Sequence, residues 1–471
     1  MRLFFIIVIF LSNFVQASDT NNSSIAIIGT GYVGLVTGTY FAELGHKVTC
    51  VDIDYDKIRL LTHSQIPFYE PGLEELVAKN QKEGRLIFTN SIQQAVDNSL
   101  ILFLCVGTPA NEDGSSDLSY LFHAAKNIAD CMTDYRIIAI KSTVPPGTAD
   151  QLKHFIHQIL VKKLGKKIAF DVVSNPEFLR EGTAVADAFH PDRIVIGCSG
   201  REIQERFSKL YKDRVEPDRI LLMDNASAEL TKQAANAMLA SRISFMNEIA
   251  RICDKIGANI NHVKNAISMD KRIGGSFLNA GIGFGGSCFP KDLRSLISFA
   301  DKLQVPTPLI SSIYQTNELQ KKLITENFIS HLDLGEEFPK VVAVWGLSFK
   351  PGTDDMREAP SINLIRSLYK KGCHLKLFDP VSNTSIGAQK LCSDCPNVQF
   401  CNDQYEAAEE ADAVILVTEW PQFKQVDLKR LSRMMKGNLF FDGRNQFSPE
   451  EMKKYGFQYY GVGLSSRHPS N

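Results

Sequence analysis

Four apolar residues, Ile25 to Ile28, run directly into Gly29-Thr30-Gly31-Tyr32-Val33-Gly34, and a helix-compatible stretch follows to about Leu44. The chain then turns through Gly45-His46-Lys47 into a second apolar run, Val48-Thr49-Cys50-Val51, that stops at Asp52. Strand, turn, helix and strand within about thirty residues predict a βαβ unit. Further apolar runs stand at Leu100 to Val106, Ile137 to Ser142, Phe170 to Val173 and Arg193 to Gly197, with helical patterns between most of them. Runs without alternation mark strands buried on both faces. The pattern therefore predicts a parallel sheet covered by helices on each side.

From about Ser227 the periodicity changes. Glu229 to Ile256 reads as one long amphipathic helix with no internal Gly or Pro. Helical pattern continues to about Ser330, interrupted by a glycine-rich stretch from Gly274 to Ser287. A third region opens with Val341 to Gly346, continues through a helix at Ser361 to Lys371 and a strand at Leu375 to Phe378, and reaches Asp379-Pro380. Later strands are expected at Ala413 to Thr418 and Leu439 to Asp442. The order of elements repeats that of the first region without its glycine fingerprint. The fold class expected is α/β: two Rossmann-like doubly wound parallel-sheet domains joined by a helical one. The expected boundaries are a leader at 1–24, then domains at 25–220, 221–335 and 336–471.

A chain of 471 residues, 44% hydrophobic and 22% charged with a formal net charge of -1, suits two or three ordinary globular domains. That balance offers no basic surface for nucleic acid and no charged tail. Ten cysteines without regular pairing do not form a disulfide framework and fit a reduced cytosolic enzyme. Cys392-x-x-Cys395 with Cys401 lacks a second Cys or His pair at zinc spacing, so no metal is expected and these read as loop thiols. One segment disagrees with the cytosol. Arg2, the apolar run Leu3 to Leu11 and Val15-Gln16-Ala17 before a polar stretch have the parts of a secretory signal. The apolar run is too short for a comfortable membrane span. The expectation is a cytoplasmic protein whose segment 1–24 lies outside the fold, as a leader or a tether.

Gly29-x-Gly31-x-x-Gly34 stands after a strand and opens a helix, and Asp52 closes the next strand about twenty residues on. In that context the glycines allow a tight turn and close approach of the backbone to a pyrophosphate. Asp52 is placed to bond ribose hydroxyls and to repel a 2′-phosphate, which favours NAD over NADP, with Lys57 as the neighbouring cation. Cys288 lies in Gly-Phe-Gly-Gly-Ser-Cys-Phe-Pro-Lys-Asp, residues 283–292. A glycine-dense turn beside Lys291 is expected to lower a thiol pKa and make a nucleophile, whereas the plain alternative is a small buried apolar side chain. Glu229, Lys232 and Asn236 share a helix face. By spacing alone they suit a solvated stripe; a cation and an amide set against an oxygen that gains charge is the functional alternative. The segments Ser174 to Gly182 and Lys141 to Thr148 follow strands, at the ends where doubly wound sheets bind ligands, or are structural loops.

Together the runs IAIIGTGYVGL, LCVGTP, KSTVPPGT, SNPEFLREGTA, ELTKQAANAMLASRISFMNE, MDKRIG, FLNAGIGFGGSCFPKD, WGLSFKPGTDDMRE and FDGRN resemble the nucleotide-sugar dehydrogenase family in kind and order, from Ile25 to about Gly463. The resemblance implies a helical domain that forms a dimer core, and oxidation of the C6 hydroxyl of UDP-glucose to a carboxylate with two NAD and one water. It implies that Cys288 captures the aldehyde, that Lys232 and Asn236 stabilise the oxyanion, and that Asp292 with Thr143 positions water and relays protons beside Glu177. Gly29, Gly31, Gly34, Asp52, Lys57, Thr108, Thr143, Glu181 and Arg357 match NAD contacts. Phe277, Leu278, Asn279, Gly285, Phe349, Lys350 and Arg444 match a UDP-sugar site, with Glu177, Lys232 and Asn236 beside it and Arg272 reaching in from a partner subunit. GDP-mannose is the second substrate expectation. Ser287, where N-acetyl-sugar enzymes usually have His, speaks against that group. A silent nucleotide-sugar binding protein is the non-enzyme alternative, but binding alone needs no nucleophile.

Overall fold

The structure is a computed structural model that describes residues 23–165, 168–211, 214–332, 340–381, 387–390 and 395–464. The expected leader therefore lies outside the described residues except for Ser23 and Ser24. Eight strands build the first sheet: β1 Ser24–Ile28, β2 Lys47–Val51, β3 Leu86–Thr89, β4 Ile101–Leu104, β5 Arg136–Ile140, β6 Phe170–Ser174, β7 Ile194–Gly197 and β8 Ile220–Met223. Their spatial order is β3-β2-β1-β4-β5-β6-β7-β8. All neighbours are parallel except β6 and β7, which meet antiparallel through Ser174 and Gly197. The sequence order reverses between β1 and β4, which opens a crevice at their carboxyl ends.

The unbroken apolar runs follow from burial on both sides. Ile25, Ile27 and Phe103 pack with Phe41 on one face, and Ala26, Ile28, Leu102 and Leu104 pack with Leu121 and Ile128 on the other. The edge strands β3 and β8 are only partly covered, and neither is among the strands the hydrophobic pattern predicts. Since β8 pairs with β7, the first sheet continues to Met223, past the expected boundary at 220.

The long helix spans Asn225–Ile256. The Asp224 side chain accepts from the Ser227 N–H at its start, and Gly257, at φ 76°, ends it in a left-handed turn. Helices Phe289–Lys302 and Pro308–His331 pack along it. The last region is a six-stranded parallel sheet of β9 Val341–Trp345, β10 His374–Phe378, β11 Val398–Phe400, β12 Ala413–Leu416, β13 Leu439–Asp442 and β14 Gln458–Gly461. Its order, β11-β10-β9-β12-β13-β14, repeats the pattern of a strand-order reversal beside the first strand.

Side chains from one region finish the backbone of another. Glu229 of the long helix accepts from the Gly147 and Ala149 N–H groups (2.6 and 2.8 Å) and from Ser174 Oγ (3.1 Å), so it caps the helix Thr148–Leu164 of the first region. The glycine-rich stretch threads between the central helices and the last sheet. Ile282 N–H donates to Gly443 O, Gly286 N–H to Arg357 O and Gly281 N–H to Asn247 Oδ1. A Cβ at Gly285 would lie 2.3 Å from Glu358 O, so no larger residue fits that passage without a shift of backbone.

Candidate active site

The dinucleotide loop has the geometry its glycines predict. Gly29 sits at φ 99°, and a Cβ on Gly34 would fall 1.9 Å from Gly29 O, so the turn closes only without side chains. Gly31, at the start of the helix Tyr32–Glu43, has open space where a Cβ would stand, and no side chain caps that helix. Uncapped N–H groups at a helix start facing open space suit a pyrophosphate. Asp52 ends β2, nearly buried. Its Oδ2 accepts from Thr30 N–H and Oγ1 (both 2.8 Å) and from Lys57 Nζ (2.9 Å). Burial raises its pKa, but the bonds from Thr30, Lys57 and Asp54 outweigh that and hold the carboxyl below its ordinary range. Asp52 is thus charged, and Lys57 is its partner rather than a free site for a 2′-phosphate. Thr108 Oγ1 donates to Thr143 O at 2.8 Å, tying together the loops that follow β4 and β5.

The sequence left Lys232 and Asn236 on either a solvated stripe or a reacting centre. They are buried, at 3% and 6% exposure, which removes the solvated reading. Lys232 Nζ lies 3.0 Å from Glu177 Oε1. Burial alone would lower the pKa of Lys232, yet Glu177, Cys288 and Asp292 around it raise it above its ordinary value. Asn236 Nδ2 donates to Asp292 Oδ2 at 2.6 Å, and Lys291 Nζ reaches Asp292 Oδ1 at 2.6 Å. Glu229, on the same helix face, belongs instead to the cap at Gly147 to Ala149.

Cys288 precedes the first turn of the helix Phe289–Lys302, with Ser287 Oγ 3.6 Å from its Sγ. The expectation of a depressed thiol pKa is overturned. Burial and the nearby charges of Asp292 and Glu177 push it up to about 11, against the lowering by Lys232 and Ser287. Lys291, the neighbour in sequence, is engaged by Asp292. The resting side chain is a protonated thiol.

Glu181 joins three regions at this point. Its carboxylate accepts from Ser287 Oγ (2.9 Å) and Thr353 Oγ1 (3.3 Å) and lies 3.6 Å from Arg357. Burial and then Asp355 push it up to about 7, despite Arg357, Ser287 and Lys350. Arg357 is held mainly by Asp355. Lys350 lies over the Phe349 ring, 5.6 Å from its centroid. Burial lowers its pKa while Glu181 and Cys288 act to raise it, which sets Lys350 within electrostatic reach of the thiol. The Phe349 ring also fills the space a Cβ on Gly286 would need.

The remaining expected substrate residues line the same seam, except one. Phe277, at φ 60°, faces the Phe289 ring; Leu278 is buried and Asn279 exposed. Arg444 donates to Val417 O and pairs with Glu419. Arg272 stands apart: its side chain is 90% exposed and, among the described residues, bonds only Asp270. Two groups in the seam were given no role of their own from sequence, although Lys141 opens one of the two segments expected at a ligand-binding strand end. Glu70 accepts from the Gly182 and Ala184 N–H groups and from Tyr32 Oη of the dinucleotide loop, so it fixes the segment that carries Glu181. Lys141 lies buried behind Glu177. Tyr-Glu-Pro-Gly at 69–72 signalled a turn, but nothing local pointed to a partner more than a hundred residues away. Among the described residues, no cysteine forms a disulfide and no group of side chains could hold a metal ion. Cys392 lies outside the described residues.

Two nucleotide-binding-type sheets closing on a half-buried thiol beside a buried lysine and carboxylates define a dinucleotide-dependent oxidoreductase. Three family models narrow this further. The NAD binding, central and UDP binding domains of the UDP-glucose/GDP-mannose dehydrogenase family match residues 23–215, 226–319 and 343–449. The chain belongs to that family. It is 43% identical over 444 residues to the UDP-glucose 6-dehydrogenase TuaD of Bacillus subtilis, covering 93% of both chains. It is 41% identical to the UDP-glucose 6-dehydrogenase of Pseudomonas aeruginosa, over 93% of this chain and 97% of the other. Among solved structures, a UDP-glucose dehydrogenase from the hyperthermophilic archaeon Pyrobaculum islandicum superposes with a TM-score of 0.85 at 34% identity, covering 95% of this chain and 99% of that one.

Proposed function

We propose that this chain is an NAD-dependent UDP-glucose 6-dehydrogenase that converts UDP-glucose to UDP-glucuronate in two successive oxidations. The observation that carries the reading is near full-length similarity to UDP-glucose 6-dehydrogenases. The buried cluster around Cys288 supports its chemistry.

The glycine turn and Asp52 would hold NAD, which when bound accepts a hydride from C6 in each oxidation. The sugar hydroxyl first gives up a proton and a hydride to become an aldehyde. The Cys288 thiol then adds to the aldehyde carbon: a C–S bond forms and the thiol proton ends on the former carbonyl oxygen. Because the proton rests on sulfur and the thiolate is the reactive form, attack on carbon and transfer of that proton go together. Lys232 and Asn236 are placed to stabilise charge that builds on that oxygen. Loss of a second hydride and the hydroxyl proton leaves a thioester. Water then attacks, with Asp292 taking its proton; the C–S bond breaks, and Cys288 recovers its proton as the carboxylate leaves.

Phe277, Leu278, Asn279, Gly285, Phe349, Lys350 and Arg444 would hold the nucleotide sugar. Leu230, Met238, Phe245, Ile252 and Ile256 form an exposed apolar stripe down the long helix, spaced by four to eight residues. A second copy of the chain covering that stripe gives a homodimer, and it would bring the outward-pointing Arg272 to the partner's site. The reading assigns the protein to the cytoplasm, where NAD, nucleotide sugar and a reduced thiol occur together. No helix among the described residues is long and apolar enough to cross a membrane.

The test is stoichiometry. Purified protein should form two NADH per UDP-glucose with no aldehyde trappable by hydroxylamine, and GDP-mannose should turn over far more slowly. A ratio of one, or free aldehyde, overturns the covalent route; indifference between the two sugars overturns the substrate assignment.

A further inference from the structure

Lys141 follows β5 at the centre of the first sheet, between the ends of β4 and β6. Its N–H donates to Leu104 O, and Asn175 N–H donates to Ile140 O. The side chain is 7% exposed. Its Nζ reaches only Asn175 O at 3.3 Å and Asn175 Oδ1 at 3.2 Å. Among the described residues it makes no ion pair. A buried ammonium with two long hydrogen bonds to neutral oxygens is expensive, and proteins rarely keep one without use.

Its surroundings indicate the use. Asn175 begins the turn Asn175-Pro176-Glu177, and its other contacts are saturated: Oδ1 also accepts from Tyr211 Oη at 2.6 Å, and Nδ2 donates to Val195 O at 2.8 Å. Lys141 therefore grips the turn that aims Glu177 at Lys232. The charged and titratable groups facing it are Cys105 after β4, Glu177 after β6 and Lys232 on the long helix, with Tyr211 behind Asn175. Burial pushes the lysine down to about 8, while Cys105 and Glu177 raise it and Lys232 lowers it.

We propose that Lys141 is a positioning residue of the reacting centre: a switchable positive charge behind Glu177 that tunes the Glu177–Lys232 pair. While Lys141 is charged, it competes with Lys232 for the Glu177 carboxylate and opposes the charge on Lys232. Once it is neutral, the pair tightens and Lys232 holds its proton more strongly. This inference rests on the assignment of Glu177 and Lys232 to the reacting centre.

The experiment compares the wild type with Lys141→Met and Lys141→Arg across pH 6 to 10. The kcat of the wild type should show a step near pH 8. Both variants should lose that step, with Lys141→Arg held at the low-pH level and Lys141→Met at the high-pH level. KM for UDP-glucose and for NAD should stay within about twofold, because the Lys141 ammonium is engaged by the Asn175 turn. A purely structural role would lower activity evenly and leave the step in place, which overturns the proposal. A second measurement does not depend on turnover: with 13Cε-labelled lysine, one resonance should titrate near pH 8, vanish in Lys141→Arg and shift its midpoint downward in Glu177→Gln. Failure to oxidise UDP-glucose would count against the proposed substrate alone. A resonance that titrates near 10 or ignores Glu177→Gln would overturn the inference alone.

Discussion

Replacing Lys232 with methionine separates what the buried pair does for stability from what it does for rate. The substitution keeps the length and apolar stem of the side chain and deletes the charge 3.0 Å from Glu177. Breaking a buried pair by removing one partner costs about 3–5 kcal/mol, because the other charge stays buried without compensation. Lys141, behind Glu177, and the Leu179 N–H that donates to its Oε2 soften the loss, so the lower figure is expected. At about 2–4 °C per kcal/mol for a large domain, the apparent Tm should fall by roughly 6–12 °C. Turnover should fall by about 10²–10³-fold if the ammonium faces a developing oxyanion. The double variant Glu177→Gln/Lys232→Met removes both charges of the pair. It should recover most of the lost Tm and none of the lost rate. The pH dependence has a definite sign. The folded pKa of Lys232 is raised, so the stability it contributes is fully present below its unfolded value near 10.4 and is lost only as pH rises through the folded value. The single variant should thus be destabilised equally at pH 6 and pH 7, where Lys141 still carries its charge. Differential scanning fluorimetry with NADH-monitored kinetics reads both effects. Wild-type turnover in Lys232→Met, or a double variant no more stable than the single one, would refute the reasoning.

Four further outcomes are expected. NAD should be preferred over NADP by at least about tenfold in kcat/KM, because Asp52 is charged and Lys57 is engaged; equal use would count against Asp52. Iodoacetamide should modify Cys288 slowly at pH 7, where a thiol with a pKa near 11 is about one part in 10⁴ thiolate, and the rate should rise about tenfold per pH unit; a plateau by pH 8, read by mass spectrometry, would refute the protonated resting state. Glu229 is pushed up to about 7 by burial against the lowering effect of its bonds to Ala149, Gly147 and Ser174, so the native state holds a proton that the unfolded chain, with a pKa near 4.3, has released. Stability should therefore decline between about pH 4.3 and 7, and Glu229→Gln should flatten that slope in thermal melts. Finally, inactive Arg272→Ala and inactive Cys288→Ala chains should regain activity when mixed, and Phe245→Glu should yield a monomer by light scattering; no recovery despite subunit exchange would place Arg272 within its own subunit's work.

Both sheets were legible because their strands are buried on two faces and so read as unbroken apolar runs. β3 and β8 in the first sheet and β11 and β14 in the last escaped because edge strands need no such run. The glycine turn and Asp52 were legible because their contacts are local, within one βαβ unit. Cys288 was legible as a special residue, but its protonation was misread. The sequence sets Lys291 nearby, while folding turns Lys291 onto Asp292 and brings the carboxylates of Asp292 and Glu177 around the sulfur. Lys232 and Asn236 fit a wet helix face and a dry one equally well, since helix periodicity says which residues align and not what covers them. Glu70 and Lys141 act through partners on other elements, so no window of sequence contains their meaning, and Glu181 was legible only through the family resemblance, as a match to an NAD contact.

The carboxylate of Glu229 bears on how this molecule could be taken apart. The models for the first and central domains meet in the interval between residues 215 and 226, which looks like a natural crossover for recombining relatives. The interval also contains β8, whose partner β7 lies upstream of it. Beyond it, the side chain that caps the helix Thr148–Leu164 comes from the incoming segment. A chimera joined there inherits a finished dinucleotide domain only if the donor supplies an acid at that position. The modules are separable as text but interlocked as objects.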